Sequence, residues 1–234
     1  MLHALSSAAI VILVVGFTLG VGALVVKLIL DERAQRGKRA AAMQALGFTD
    51  CPDHIDHIED MIAFLSGDNS KSARTHTVSH PMLRQSNGER IYYIWIKESR
   101  SGDSTAWVET FLFPFARRVE QPVALMLSTQ KTQAKIMKFV LGLAARMFGE
   151  RFTLLDMPRE LEGSHILGAF GPRGCSLYDL LDSSVLSQVQ HGAELGVNTF
   201  RAYQDWAAVS LDPKQKKADT AQVWPFIERL AALR

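Results

Sequence analysis

An unbroken run of 23 uncharged residues, from residue 4 to residue 26, constrains this chain more than any other feature. Most of these residues are Val, Ile, Leu, Ala or Gly. A helix of that length spans about 34 Å, enough to cross a hydrocarbon core of about 30 Å. A secretory signal peptide has a segment with Lys or Arg before a shorter apolar core. Here Met1, Leu2 and His3 precede the run, and none of them is Lys or Arg. The sequence therefore predicts a transmembrane anchor within residues 1–30.

The charges that flank the apolar run differ between its two sides. No Lys or Arg precedes the run, and five basic residues follow it closely: Lys27, Arg33, Arg36, Lys38 and Arg39. Basic flanks stay on the cytoplasmic side of a membrane. The pattern predicts a single-pass protein of the bacterial inner membrane, with its N-terminus outside and its C-terminal part in the cytoplasm. The same basic residues are suited to contact anionic lipid headgroups.

Gly16 and Gly20 form a G-x-x-x-G motif inside the apolar run. Residues four apart share one face of a helix, and two glycines there let a second helix approach closely. Glycine is also frequent in membrane helices that do not pack in this way. Two interpretations therefore stay open: a packing face for a second copy or another membrane protein, or a feature of ordinary membrane-helix composition.

The remainder of the chain has a balanced charge. Residues 1–40 hold five of the 26 basic residues and two of the 24 acidic residues, so residues 41–234 carry a net charge of −1. A nucleic-acid-binding domain has an excess of basic residues on one face. The composition therefore argues against a nucleic-acid partner. Two cysteines, Cys51 and Cys175, are too few for a disulfide-stapled scaffold.

Apolar spacing and breaker residues predict several helices after the anchor. A juxtamembrane basic helix is expected over residues 31–48, ended by Gly47. An amphipathic helix is expected over 53–65, with Asp53 as its N-cap. Further helices are expected over 131–148, over 177–195 with a break near Asp182, and over 223–233 with Pro225 in its first turn.

Strands are expected between these helices. The segment 91–96 (IYYIWI) is apolar on both faces and is typical of a covered central strand. Asn87-Gly88 before it is a strong hairpin turn signal. Shorter strands are predicted over 75–83, 105–113, 122–127, 152–155 and 165–170, and a hairpin over 197–211 is predicted to turn at Gln204-Asp205.

The order of these elements is typical of an α+β fold rather than of regular βαβ alternation. One cytoplasmic α+β domain over residues 49–234 is expected, with helices on one face of an antiparallel sheet.

Several short segments resemble a family of uncharacterised bacterial single-pass membrane proteins with a cytoplasmic α+β domain. They include the end of an Ala-rich helix at Ala45-Leu46-Gly47-Phe48, a strand that leads to Phe111-Leu112-Phe113-Pro114, and Ile166-Leu167-Gly168 followed by a short helix over 177–181. The resemblance implies the fold and the membrane location. It implies no catalytic residue.

Four histidines form a candidate metal site: His54 and His57, His76 and His80. Zinc needs three or four N, S or O ligands, which two such pairs could supply if the fold joined them. In a strand, however, residues four apart lie about 13 Å from each other. The alternative is that these histidines border the apolar stripe of the helix over 53–65 and the protein surface.

Known catalytic and cofactor motifs are missing from the sequence. It contains no G-x-S-x-G and no G-x-G-x-x-G, and the turn Gly171-Pro172-Arg173-Gly174 lacks the lysine of a phosphate-binding loop. Cys175 could act as a nucleophile beside His165 or His191, but a semi-buried thiol is the simpler interpretation. No cofactor is expected, and we predict that the chain is not an enzyme.

Two functions are compatible with these features. The first is a membrane-anchored accessory protein, whose cytoplasmic domain docks on a larger membrane assembly and whose helix contacts a membrane protein or a second copy. The second is a membrane-tethered sensor that binds a metal or ligand through the histidines. An enzyme without a familiar motif would instead need a deep pocket with titratable groups of shifted pKa.

Overall fold

The computed structural model describes residues 7–65, 77–86, 88–99, 105–128, 153–211 and 220–233. The chain forms two compact units, Met1–Ala45 and Leu46–Arg234. The helix predicted over 131–148 lies outside the described residues.

The first unit is a helix, α1 (Ser7–Ala45), of 39 residues. It joins the predicted anchor and most of the predicted basic helix into one element. Within the part of the chain that the structure describes, no helix is both long enough and apolar enough to cross a membrane. The structure therefore does not support the transmembrane span predicted over residues 4–26, which begins outside the described residues.

The second unit is built on an antiparallel sheet with helices, which confirms the predicted α+β class. Its described strands are β1 (Thr49–Asp50), β2 (Thr77–Ser86), β3 (Glu89–Ser99), β4 (Thr105–Leu127), β5 (Thr153–Leu154), β6 (Ile166–Gly171) and β7 (Val197–Leu211). They follow the order β1-β2-β3-β4-β6-β5, and β7 pairs with β4. The hairpin predicted at Asn87-Gly88 is confirmed, because Ser86 pairs with Glu89 and Gly88 has a φ of +83°.

Strand β4 replaces two of the predicted strands with one strand of 23 residues. Its first half pairs with β3 as far as Leu112, its second half pairs with β6 from Ala124, and β7 follows both halves. The predicted hairpin over 197–211 was wrong: β7 runs straight through Gln204, which has a φ of +52° at a shift in the β4–β7 register. Gln204 thus forms a bulge in one strand rather than a turn between two.

Helices cover both faces of the sheet, which corrects the prediction of one covered face. Helix α2 (Ile55–Leu65) packs on the face that contains Tyr92 and Leu112. The opposite face contains Tyr93 and Phe111, and Trp224 of the last helix stacks at a tilt on Phe111, 6.4 Å between ring centroids. All six residues of 91–96 are buried. A strand that is apolar on both faces needs cover on both faces.

The remaining helices follow β6. They are α3 (Leu177–Leu180), α4 (Ser183–Glu194) and α5 (Thr220–Ala231). The predicted break near Asp182 is confirmed, because the Asp182 carboxylate accepts hydrogen bonds from the backbone N–H groups of Ser184 and Val185 and caps α4. Helix α5 begins at Thr220, so Pro225 lies inside it rather than in its first turn.

Candidate functional site

Large apolar side chains are exposed along α1. They are Val15, Phe17, Leu19, Val21, Leu24, Val26 and Leu30, each between 43% and 70% exposed. Val15 and Phe17 are two positions apart, which places them on opposite sides of a helix with 3.6 residues per turn. An amphipathic surface helix has one apolar face. These residues therefore present an apolar surface on more than one side of α1.

The predicted packing residues lie on this surface. A Cβ added at Gly16 or Gly20 would meet no other atom within 4 Å, and the same holds for Gly22. The predicted basic residues lie further along the same helix. Lys27, Arg33 and Lys38 are exposed, whereas Arg36 and Arg39 are half-buried and have interaction partners.

Two of the predicted histidines meet on one tyrosine of the second unit. Nδ1 of His54 lies 3.1 Å from the phenol oxygen of Tyr92, a hydrogen bond. The His57 ring stands edge-on to the Tyr92 ring, with 6.3 Å between the centroids. His54 ends the 3-10 turn Pro52–His54, and His57 lies in the first turn of α2, so both extend over β3. The predicted N-cap Asp53 lies inside that 3-10 turn, whose N-cap is Cys51.

The other two histidines do not join this pair within the described residues. His80 is exposed in β2 at a register shift between Ser79 and Met82, where its φ is +51°. His76 lies outside the described residues. Among the residues that the structure describes, no group of three or more His, Cys, Asp or Glu could hold a metal ion. The four-histidine site as a whole stays a prediction.

A small groove opens beside His57 and Tyr92. It has a volume of about 250 Å³ and is lined by His57, Gly88, Glu89, Arg90, Tyr92, Pro114 and Trp206. Gly88 comes from the turn before β3, and Glu89 and Arg90 are the first two residues of β3. Pro114 of β4 and Trp206 of β7 are register partners. Aromatic and proline walls with a guanidinium at the rim suit a planar or proline-containing group. The sequence patterns did not indicate this groove, because its residues come from four separate elements.

The thiol of Cys51 is held in its neutral form. Burial, followed by the nearby carboxylates of Asp50 and Asp53, raises its pKa from 9.0 to about 11. The Cys51 N–H donates to the carbonyl of Pro81 at 2.9 Å, which holds this segment against β2. A thiol with such a pKa is a poor nucleophile at neutral pH, because the thiolate is the reactive form.

We expect iodoacetamide to alkylate Cys51 at pH 8 about 100-fold more slowly in the folded chain than in the denatured chain. The reason is that a pKa near 11 leaves about one thiolate per thousand at that pH. The measurement is mass-spectrometric labelling of the Cys175→Ser chain over time. Asp53→Asn should speed the labelling by a smaller factor, since burial is the larger cause. Equal rates in the folded and denatured chains would contradict the assignment.

The segment before α3 is a structural turn. Ser176 caps the helix through a reciprocal capping box: its hydroxyl accepts from the Asp179 N–H, and the Asp179 carboxylate accepts from the Ser176 N–H at 2.8 Å. The Ser176 N–H, followed by its hydroxyl, lowers the pKa of Asp179. The turn expected at Gly171-Pro172-Arg173-Gly174 therefore leads into a helix that is capped by its own side chains.

The histidines proposed as partners of Cys175 line a different cleft. His165 and His191 border a polar cleft of about 470 Å³, and Cys175 is not among its lining residues. The described geometry therefore gives no support to a cysteine nucleophile in this cleft.

One buried carboxyl group was missed by the sequence patterns. Glu109 of β4 is fully buried and accepts a hydrogen bond from the Tyr93 hydroxyl at 3.0 Å. Glu109 lies two and four positions before Phe111 and Phe113, so that it shares their buried face of β4. A carboxylate in line with two aromatic residues at strand spacing is the signal that could have revealed it. A buried carboxyl needs such donors to offset its loss of water.

Comparison with known proteins leaves the family of the chain open. No model of a known protein family matches the chain, and no curated protein matches it. Among solved structures, it is similar to the crystal structure of the mycobacterial trehalose monomycolate transport factor A, TtfA. The two are 14% identical over 83% of this chain and 88% of that chain, with a TM-score of 0.42. At that score and identity, the likeness carries no argument about the fold or the function of this chain.

Proposed function

We propose that the chain is a membrane-anchored accessory protein that docks its α+β unit on a larger membrane assembly. The observation that carries the proposal is the apolar surface on several sides of α1, from Val15 to Leu30. A protein groove would cover one side of such a helix, whereas lipid covers every side at once. The 23 uncharged residues of the sequence, which start before the described helix, support the same role.

The proposed orientation has the N-terminus outside the inner membrane and the α+β unit in the cytoplasm. It rests on the five basic residues that follow the apolar run, three of which are exposed on α1. The near-zero charge of residues 41–234 supports a protein partner rather than a nucleic acid. The proposed role is non-catalytic.

The proposed contact to the assembly is a helix that packs on the face of Gly16 and Gly20. Both positions leave open space at the helix surface, so that a second backbone can approach. The partner is another membrane protein of the assembly, and a homodimer through the same face is the alternative outcome of the test.

The first test is purification of the full chain from its native membranes in a mild detergent. We expect a native mass above that of the monomer and a stoichiometric membrane protein that co-elutes. Gly16→Leu with Gly20→Leu should remove the partner, because two isobutyl groups hold the helices apart. The readouts are native mass spectrometry and identification of the co-eluting chains.

Gly22→Leu is the matched control. At about 100° per residue, Gly22 lies about 120° from Gly16 and about 160° from Gly20 around α1. It faces away from the packing face and has the same open surroundings. This variant should keep the partner. Elution of the wild-type chain as an isolated monomer would contradict the accessory role, and elution as a pure homodimer would replace the foreign partner by a second copy.

A further inference from the structure

We propose that Arg84 couples two separate parts of the α+β unit, so that loosening of either one loosens the other. The first part is the entry segment, residues 46–48, through which the chain enters the unit. The second part is α5. Arg84 lies in β2, where its register partner is Ile91 of β3, and its guanidinium contacts both parts. The coupling goes beyond the proposed membrane role, because it uses residues of the second unit alone.

The entry segment follows the last residue of α1 and leads into β1. Gly47 has a φ of +87°, which glycine adopts easily and which commonly ends a helix. A nitrogen of the Arg84 guanidinium donates a hydrogen bond to the Leu46 carbonyl at 2.5 Å. The end of a helix leaves carbonyl groups without partners in the helix, so a side-chain donor satisfies a need at this point. Arg84 therefore fixes the place where the chain enters the unit.

The same guanidinium holds α5 through an aromatic ring and a carboxylate. Cζ of Arg84 lies 4.5 Å from the centre of the Trp224 ring, a cation–π contact. Nη2 of Arg84 lies 3.6 Å from Oε1 of Glu228, one turn further along α5. The side chains of this ion pair are 28% and 39% exposed, so water screens it. The contact with the buried Trp224 ring is therefore the main hold of Arg84 on α5.

The entry segment also touches α5 directly. Phe48 is buried and stands edge-on to Trp224, with 5.0 Å between the ring centroids. Two routes thus join the entry segment to α5, the aromatic pair and Arg84. The second route needs an arginine, because a planar guanidinium can donate hydrogen bonds in its plane while its face covers a ring. The ammonium group of a lysine is a point charge without such a face.

The coupling acts in both directions. Displacement of the entry segment removes the acceptor that orients Arg84 and weakens its contact with Trp224. Displacement of α5 removes the ring and weakens the hydrogen bond to Leu46 in the same measure, since a coupling free energy is reciprocal. A partner that binds α5, or a pull on the chain at the entry segment, therefore changes the stability of the other part.

The first test is hydrogen–deuterium exchange of the full chain in a mild detergent. Arg84→Met keeps the apolar stem of the side chain and removes the charged donors. It should raise the exchange rates of residues 46–50 and of α5 about tenfold, since both the charged hydrogen bond and the cation–π contact are lost. Arg84→Lys should raise both rates by a smaller factor, because it keeps the charge. Peptides from β6 are the internal reference for an intact fold.

A second perturbation shows whether Arg84 transmits a change. Gly47→Ala strains the entry segment, because alanine is disfavoured at a φ of +87°, while the new Cβ would lie no closer than 4.0 Å to Arg84. It should raise the exchange rate of α5 about threefold, the effect of part of that strain. In the Arg84→Met background, less than half of this effect should remain, carried by Phe48 and Trp224. Arg84→Lys serves as the background if the methionine variant loses the protection of β6.

Gly88→Ala is the matched control. Gly88 has a φ of +83° in the turn between β2 and β3, and a Cβ there would meet no atom within 4 Å. The same kind of strain at this turn should leave the exchange of α5 unchanged. The coupling is refuted if Gly88→Ala loosens α5 as much as Gly47→Ala does, or if the effect of Gly47→Ala on α5 is the same with and without Arg84. Wild-type protection of residues 46–50 or of α5 in Arg84→Met would refute it as well.

Discussion

Replacement of Val15 and Leu19 together by arginine is expected to move the chain from the membrane pellet to the supernatant. Both side chains are at least half exposed on α1. On the insertion scale, an arginine near the centre of a span costs about 3–4 kcal/mol more than Leu or Val, so that two cost about 6–8 kcal/mol. This lowers the insertion equilibrium by roughly four orders of magnitude or more. The measurement is alkaline extraction of membranes followed by flotation of the pellet.

The matched control puts the same charge on the other unit. Among the residues of that unit that the structure describes, Leu154 and Tyr178 are large apolar residues exposed to a similar degree, 44% and 48%. Leu154→Arg with Tyr178→Arg should leave the chain in the pellet, because the proposed span on α1 is unchanged. A wild-type chain that appears in the supernatant would remove the anchor from the proposed function, whatever the variants do.

Local sequence patterns were sufficient to predict turns and helix ends, whose backbone geometry and hydrogen bonds depend on a few adjacent residues. Asn87-Gly88 predicted a hairpin, because a positive φ at Gly88 suits the twist of the two strands. The helix break predicted near Asp182 is confirmed, because the Asp182 carboxylate accepts from two N–H groups of the first turn of α4. Such features depend on a few neighbouring residues, which the sequence lists in order.

Local patterns failed where a neighbouring strand decides the outcome. Pro114 indicated the end of a strand, yet β4 continues through it. The described pairing of β4 with β3 ends at Leu112 of β4, and its pairing with β6 begins at Ala124 of β4. Between these two residues, Pro114 has β7 as its neighbour on one edge. A proline is tolerated where one edge is not paired. Gln204 was likewise predicted to lie in a turn. In the structure, the residues of β7 before and after Gln204 both pair with β4, so the chain continues as one strand.

The candidate sites show the same limit. His54 and His57 were grouped with His76 and His80 because of residue type, but the structure places the first two on Tyr92, a residue assigned from sequence to the core alone. The contact between His165 and Glu194 joins residues 29 positions apart, with no motif to connect them. Glu194 also lies three residues after His191, a spacing that indicates a contact only within one helix.

Replacement of Gly192 by valine is expected to destabilise the second unit by about 3 kcal/mol. Gly192 is buried in α4, and a Cβ at this position would lie 2.5 Å from Cζ of Phe226, a fully buried side chain of α5. A glycine-to-alanine change inside a helix normally gains about 1 kcal/mol. At Gly192 the clash of the new Cβ with the tightly packed Phe226 ring outweighs that gain. The two methyl groups of valine increase the clash further. Thermal unfolding of the full chain in detergent, followed by near-UV circular dichroism, measures the loss.

A double-mutant cycle tests whether Phe226 is the cause. Gly192→Ala should cost about 1–2 kcal/mol net, and Phe226→Leu alone should cost about 1–2 kcal/mol through the space it leaves. The double variant should lose less free energy of unfolding than the sum of the two single losses, by about 1 kcal/mol or more. The reason is that the smaller leucine side chain leaves room for the new methyl group. Gly37→Ala on α1, where a Cβ meets no atom within 4 Å, should show only the gain in helix propensity of up to about 1 kcal/mol. If Gly192→Ala proved more stable than the wild-type chain, α4 and α5 would have to be further apart than Gly192 and Phe226 place them, because helix propensity would then act without an opposing clash.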